Sequence, residues 1–134
     1  MIINLVLIFL LIIFGAIAKA IMDTLQFHYN NSIFKTMDEF FWNPKISWKN
    51  KYKNHNKEEG EKFFGSTTVF VFLTDGWHLF QSIFLNCIFL IPIVLINLLH
   101  PLSFWWLMII FLTIRIAFGL FFELFYKEIF QKED

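Results

Sequence analysis

The sequence predicts an all-α integral membrane protein: three transmembrane helices in a small bundle, with an amphipathic cytoplasmic segment between the first and second. The first observation behind this reading is the absence of charge over long stretches. Ile2 to Ala18 holds one polar residue, Asn4; His78 to Leu99 carries no charge beyond the histidine, and Leu102 to Ile114 carries none. Uncharged apolar runs near ~20 residues have the length a helix needs to cross a bilayer. The second is composition. The chain is 57% hydrophobic, with 20 Phe and 5 Trp against 5 Gly and 3 Pro, richer in aromatics than a soluble domain, whose apolar share is about half.

Charge segregation is the third observation. Net charge is zero, yet seven of the eleven basic residues (Lys35, Lys45, Lys49, Lys51, Lys53, Lys57 and Lys62) fall between the first two apolar runs. Lys127 and Lys132 lie in the tail, whereas Asn97 to Ser103 has neither Lys nor Arg. Basic loops stay in the cytoplasm. The 30–62 loop and the C-terminus are therefore expected inside, with the N-terminus and the His100 turn outside. Three spans require the same alternation. The 134 residues read as a single membrane domain.

Span one covers about residues 2–22, and its helix is expected to run on through Asp23 to Tyr29. Ala16-Ile17-Ala18 resembles a signal-peptidase site, but no positive charge precedes the run, so it reads as a retained anchor. Residues 33–41 place Ile33, Phe34, Met37, Phe40 and Phe41 at helical spacing. That pattern predicts a short amphipathic helix on the membrane surface, ended by Pro44. Between Pro44 and Lys53, the basic residues Lys45, Lys49, Lys51 and Lys53 alternate with Trp48 and Tyr52. Lysines draw anionic headgroups and the aromatic rings favour the interface. Membrane lipids with anionic headgroups are thus the expected partners, and stacking on nucleic acid is set aside. Residues 54–61 read as a solvated loop in which His55 is exposed.

Ser66 or Thr67 is expected to cap a helix starting at Val69. Ser66 to Leu99 is 34 residues, about 50 Å as one helix, more than a ~30 Å hydrocarbon core. Gly76 is the natural break. Residues 67–75 then form an amphipathic or re-entrant interfacial segment, and span two is about 77–99, with Pro92 a candidate kink. Asn97 to Pro101 makes the outer turn, and span three is about 102–126. Cys87, the single cysteine, excludes a disulfide framework and reads as a buried structural thiol.

Ionisable residues at the ends of these runs mark the candidate site. Charges in lipid are costly, face a bundle interior or each other, and point to function. Gly15, Lys19 and Asp23 lie four apart, as do Arg115, Gly119 and Glu123; Asp75, His78, Ser82 and Asn86 follow three- and four-residue steps. Each span therefore has one polar stripe, with a Lys19–Asp23 pair expected and Arg115–Glu123 as a second neutralised pair. Asp75 and His78, joined by His28, make a possible ligand set for a divalent metal such as zinc. Asp23, Glu123 and Arg115 are the candidate catalytic groups beside it, as base or as stabilisers of anionic charge. Against this, Asp-x-x-His alone is a weak motif, and Asp75 is equally suited to capping the helix at Gly76.

The favoured reading is a small polytopic membrane protein with a polar site at the cytoplasmic face, acting as a structural or accessory subunit. A metal-dependent lipid-modifying hydrolase is the alternative, and an oligomeric proton or ion pore the second. Three spans bury little of their own surface, so a homo-oligomer or a membrane-protein partner is expected. Neither the reaction nor the cofactor is specified by the sequence.

Overall fold

The structure, a computed structural model, describes residues 2–130. Lys132 and the side chain of Lys127, counted in the basic tail, lie outside what is described. Among the described residues the chain is helical without strands. Three helices are long and apolar enough to cross a membrane: α1 (Ile2–His28), α4 (Gly76–Leu99) and α5 (Phe104–Glu123). Between the first two lie short turns, including α2 (Glu39–Trp42) and α3 (Pro44–Ser47). The contacts divide the chain into two compact units, Ile12–Cys87 on the one hand and Met1–Leu11 with Ile88–Asp134 on the other.

In the Ile12–Cys87 unit, α1 buries Gly15, Ala18, Met22 and Leu25. These fall three and four apart and form one stripe along the helix. Gly15 matters through its size: a Cβ there would sit 3.4 Å from Cys87 Cβ, so the small residue sets a close approach between the two helices. Lys19 and Asp23 pair as expected, but both side chains remain about half exposed, at 48% and 46%. The anticipated stripe of Gly15, Lys19 and Asp23 is therefore not the packing face. Small and apolar side chains fill the close contact, and the ion pair lies beside it.

The surface helix expected over 33–41 is two separate turns. Ser32 accepts a hydrogen bond from the Phe34 N–H and starts a 3-10 turn over Ile33–Thr36. Met37 is then extended, and Asp38 caps α2 by accepting from the Phe40 N–H. Short polar side chains offering local caps compete with a continuous helix. The two turns are held together by Phe34, buried and stacked on Trp42 with ring centroids 4.8 Å apart. Pro44 does not end a helix; it opens α3, where its missing N–H costs nothing, with Asn43 as cap.

The 54–61 loop is ordered by its base. Lys62 N–H donates to Lys51 O at 3.0 Å and Lys53 N–H to Gly60 O at 3.1 Å, around a Tyr52–Glu61 bridge. Asn54 and His55 take positive φ to turn the chain. The His55 ring, on an exposed residue, stacks on Phe40 at 5.0 Å.

No α-helix begins at Val69. The Ser66 hydroxyl is already committed to Lys51 O at 2.7 Å while accepting from Lys62 and Phe63, and Ser66 is fully buried. Thr67 is held by Glu61, whose carboxylate accepts from the Thr67 hydroxyl, the Thr67 N–H and the Gly65 N–H. With both candidate caps turned back toward the preceding loop, residues 64–70 form turns and Val71–Leu73 a 3-10 turn.

Gly76 is the break that the sequence suggested, and α4 starts there. Its reason is space. A Cβ at Gly76 would stand 2.9 Å from Trp42 Cε3 and 3.4 Å from Phe41 O, so α4 begins against the face of the indole. Helix α4 then continues through Pro92 without interruption.

In the second unit, Asn97 Oδ1 accepts from Leu102 N–H at 3.0 Å and closes the turn from α4 to α5. Phe89 meets Phe118 edge-on at 5.1 Å, and Phe118, Phe122 and Tyr126 stack in sequence along the last helix. Beyond Glu123 the winding loosens to π-type turns over Leu124–Phe130. Helix α5 buries none of its residues.

Candidate functional site

The strongest polar arrangement is built at the first turn of α4. Asp75 directly precedes Gly76, where the helix has four N–H groups without intrahelical partners. Its Oδ1 accepts the His78 backbone N–H at 3.0 Å, and its Oδ2 lies 2.7 Å from His78 Nδ1 and 3.3 Å from the Thr74 hydroxyl. Asp75 is 2% exposed, so these contacts replace the water that the carboxylate gives up. A carboxylate only accepts, so the ring nitrogen that faces it, Nδ1, is the donor of the pair. Trp77 meets the ring edge-on at 5.1 Å and completes its fixing.

Asp75, His78 and Trp77 line a cleft of about 310 Å³ together with Gln26, Pro44, Ser47 and Trp48. Three chain segments thus meet there: the end of α1, α3 with the residue after it, and the start of α4. Chemically it offers an oriented imidazole beside a buried carboxylate. The contact of Oδ1 to the His78 N–H is also what a well-capped helix start requires.

Of the proposed metal set, the structure brings Asp75 and His78 together. His28 is the last residue of α1 and exposed. Among the described residues, no three His, Cys, Asp or Glu side chains gather as a metal site requires. Asp23 is paired with Lys19. Glu123 is exposed at the last position of α5. Arg115 lies with its guanidinium carbon 5.7 Å from the Phe89 ring centroid, a cation–π contact between α5 and α4. Among the described residues Lys19 pairs with Asp23 and His78 with Asp75, and Arg115 belongs to neither pair.

The basic–aromatic stretch is more organised than its composition required. Lys49 Nζ lies 5.6 Å from the Trp48 ring and Lys51 Nζ 5.4 Å from the Tyr52 ring, while Trp48 and Tyr52 meet edge-on at 6.4 Å. Lys45 and Lys53 are exposed on either side. Trp48 belongs both to this stretch and to the cleft.

Gln26, Ser47 and Trp77 were not among the residues the sequence singled out. Trp77 could have been found beside His78 as an interfacial aromatic. Ser47 is buried and comes to the cleft only through the turn at Asn43-Pro44, for which the sequence gives no contact signal. No family model, curated protein or solved structure matches the chain.

Proposed function

We propose that the protein is a small multi-pass membrane subunit with a structural or accessory role, working by packing its helices against other membrane components. One observation carries this reading: Lys19 pairs with Asp23 and Asp75 with His78, each within about one helical turn, while α5 buries none of its residues. Locally satisfied charges need neither a substrate nor an ion to justify them. Beyond its contacts with Phe89 of α4, made by Phe118 and Arg115, α5 leaves an exposed apolar surface available for lipid or for another chain.

In this reading α1, α4 and α5 insert as three spans of a small bundle, with the N-terminus outside and both the 30–62 loop and the C-terminus in the cytoplasm. Lys45, Lys49, Lys51 and Lys53 then meet anionic headgroups, with Trp48 and Tyr52 at the level of the interface. The Lys49–Trp48 and Lys51–Tyr52 contacts support this, since each couples a cation to an amphipathic ring. Asp75 and His78 start the second span.

The test is photocrosslinking in native membranes from Ile109, Ile116 and Leu120, which are 51%, 61% and 68% exposed on α5. An accessory subunit gives adducts to a discrete second polypeptide. Adducts to lipid alone from all three positions overturn the reading.

A further inference from the structure

Arg115 is the charge on the apolar helices that the fold leaves least explained. It is the twelfth of the 20 residues of α5, about 17 Å of helical rise from Phe104 and about 12 Å from Glu123. In a hydrocarbon core of ~30 Å that is close to the midplane, farther from either end than its side chain extends. A lipid phosphate is therefore out of its reach. Phe89 supplies a cation–π contact, which leaves the five N–H donors of the guanidinium without a carboxylate among the described residues.

Building on the accessory-subunit reading, we infer that Arg115 docks a partner transmembrane helix carrying an Asp or Glu near its own midpoint. Among its described residues a second copy of this chain offers no acid at the depth of Arg115. Asp23 is paired with Lys19 and Asp75 with His78, and Glu123 lies two turns along α5 from Arg115. The occupant is therefore a different polypeptide. Its carboxylate would take up the planar donor fork that Arg presents and Lys does not, inside lipid where no water competes. Phe89 fixes the guanidinium from the α4 side, so the carboxylate approaches over the exposed face of α5, near Ile116.

The full-length protein in phosphatidylcholine vesicles, labelled with a donor fluorophore, is mixed with acceptor-labelled single-span polyleucine peptides. One peptide carries Asp at its centre, one carries Asn there, and one is all Leu. The expected result is energy transfer to the central-Asp peptide at about fivefold or more lower concentration than to the all-Leu peptide, the size of a buried polar contact between membrane helices. Arg115→Leu abolishes the difference, and Arg115→Lys retains part of it. Arg115→Glu transfers the preference to a central-Arg peptide. Helical circular dichroism of each variant confirms that it is folded.

Equal transfer to all three peptides overturns the inference, as does a preference that survives Arg115→Leu. Self-association that depends on Arg115 without any peptide also overturns it, in favour of a second copy. So does anionic phosphatidylglycerol in place of phosphatidylcholine erasing the peptide preference, in favour of lipid. Failure here is separable from failure of the broader reading. If a polypeptide crosslinks to α5 equally well in Arg115→Leu, the subunit role stands and the role of Arg115 falls; if α5 crosslinks to lipid alone, the subunit role falls.

Discussion

Asp75 and His78 hold one another at the start of α4 through both the backbone and the ring: the same carboxylate accepts the His78 N–H at 3.0 Å and meets its Nδ1 at 2.7 Å. The pair belongs to a single helical turn, so its geometry is set before any distant part of the chain arrives.

Replacing Asp75 separates these two contributions. Asp75→Ala removes the cap and should cost about 0.5–2 kcal/mol, read as a lower thermal midpoint in detergent. Asp75→Asn still accepts from the His78 N–H and should lose clearly less. Equal losses for Ala and Asn would mean that the ring contact, and not the cap, carries the stability of this turn.

Gly76→Ala tests the close approach of α4 to Trp42. Overpacking costs about 1–3 kcal/mol, and alanine's better helix propensity returns less than about 1. A net lowering of the thermal midpoint is expected. Trimming the indole with Trp42→Leu should remove most of the penalty of Gly76→Ala, so the two changes are non-additive. Strict additivity would show that the contact does not constrain the helix start.

The Lys19–Asp23 pair reports on the surroundings of α1. In water an exposed ion pair is worth about 0–1 kcal/mol, and each single replacement by leucine would be mild. Against lipid, one unpaired charge costs up to about 2.5–3.5 kcal/mol, the value at the centre of a span. Lys19→Leu and Asp23→Leu should then each harm bilayer-reconstituted protein more than the double replacement does. A double variant as damaged as the sum of the singles contradicts this.

Glu61 gives a pH signature outside the apolar helices. The Thr67 hydroxyl, followed by the Gly65 and Thr67 N–H groups, holds its carboxyl below the ordinary value of 4.5. A depressed folded value means that the unfolded chain takes up a proton first. The stabilising contribution is therefore complete above pH 4.5 and is lost as pH falls through the depressed folded value. Amide NMR signals of Gly65 and Thr67 should move with a midpoint below that ordinary value, and Glu61→Gln should remove the transition. A midpoint at or above it would contradict the bonding described.

The long elements were legible because their signal is redundant: an apolar run of Ile, Leu and Phe near ~20 residues can satisfy its backbone within the segment itself only as a helix. The Gly76 break was legible from length alone, although its cause, the face of Trp42, was not. The middle segment was misread where local and long-range partners competed. Ser66 looks like a helix cap in sequence, but Lys51 O, fifteen residues away, takes its hydroxyl. Helical spacing over Ile33 to Phe41 was outweighed by Ser32 and Asp38, each capping its own turn. At the site, Asp75–His78 was readable from an i, i+3 step on one helix. Arg115 over Phe89 was not, because a cation–π contact between helices leaves no periodic trace.

The bridge between Tyr52 and Glu61 gives the chain a natural grafting port. Its two flanking backbone bonds, Lys62 to Lys51 and Lys53 to Gly60, bring both ends of the tip side by side. A guest domain whose termini lie close together can be spliced between them without pulling α1 and α4 apart. Fluorescence or protease access at that guest would then tell directly which compartment the loop occupies.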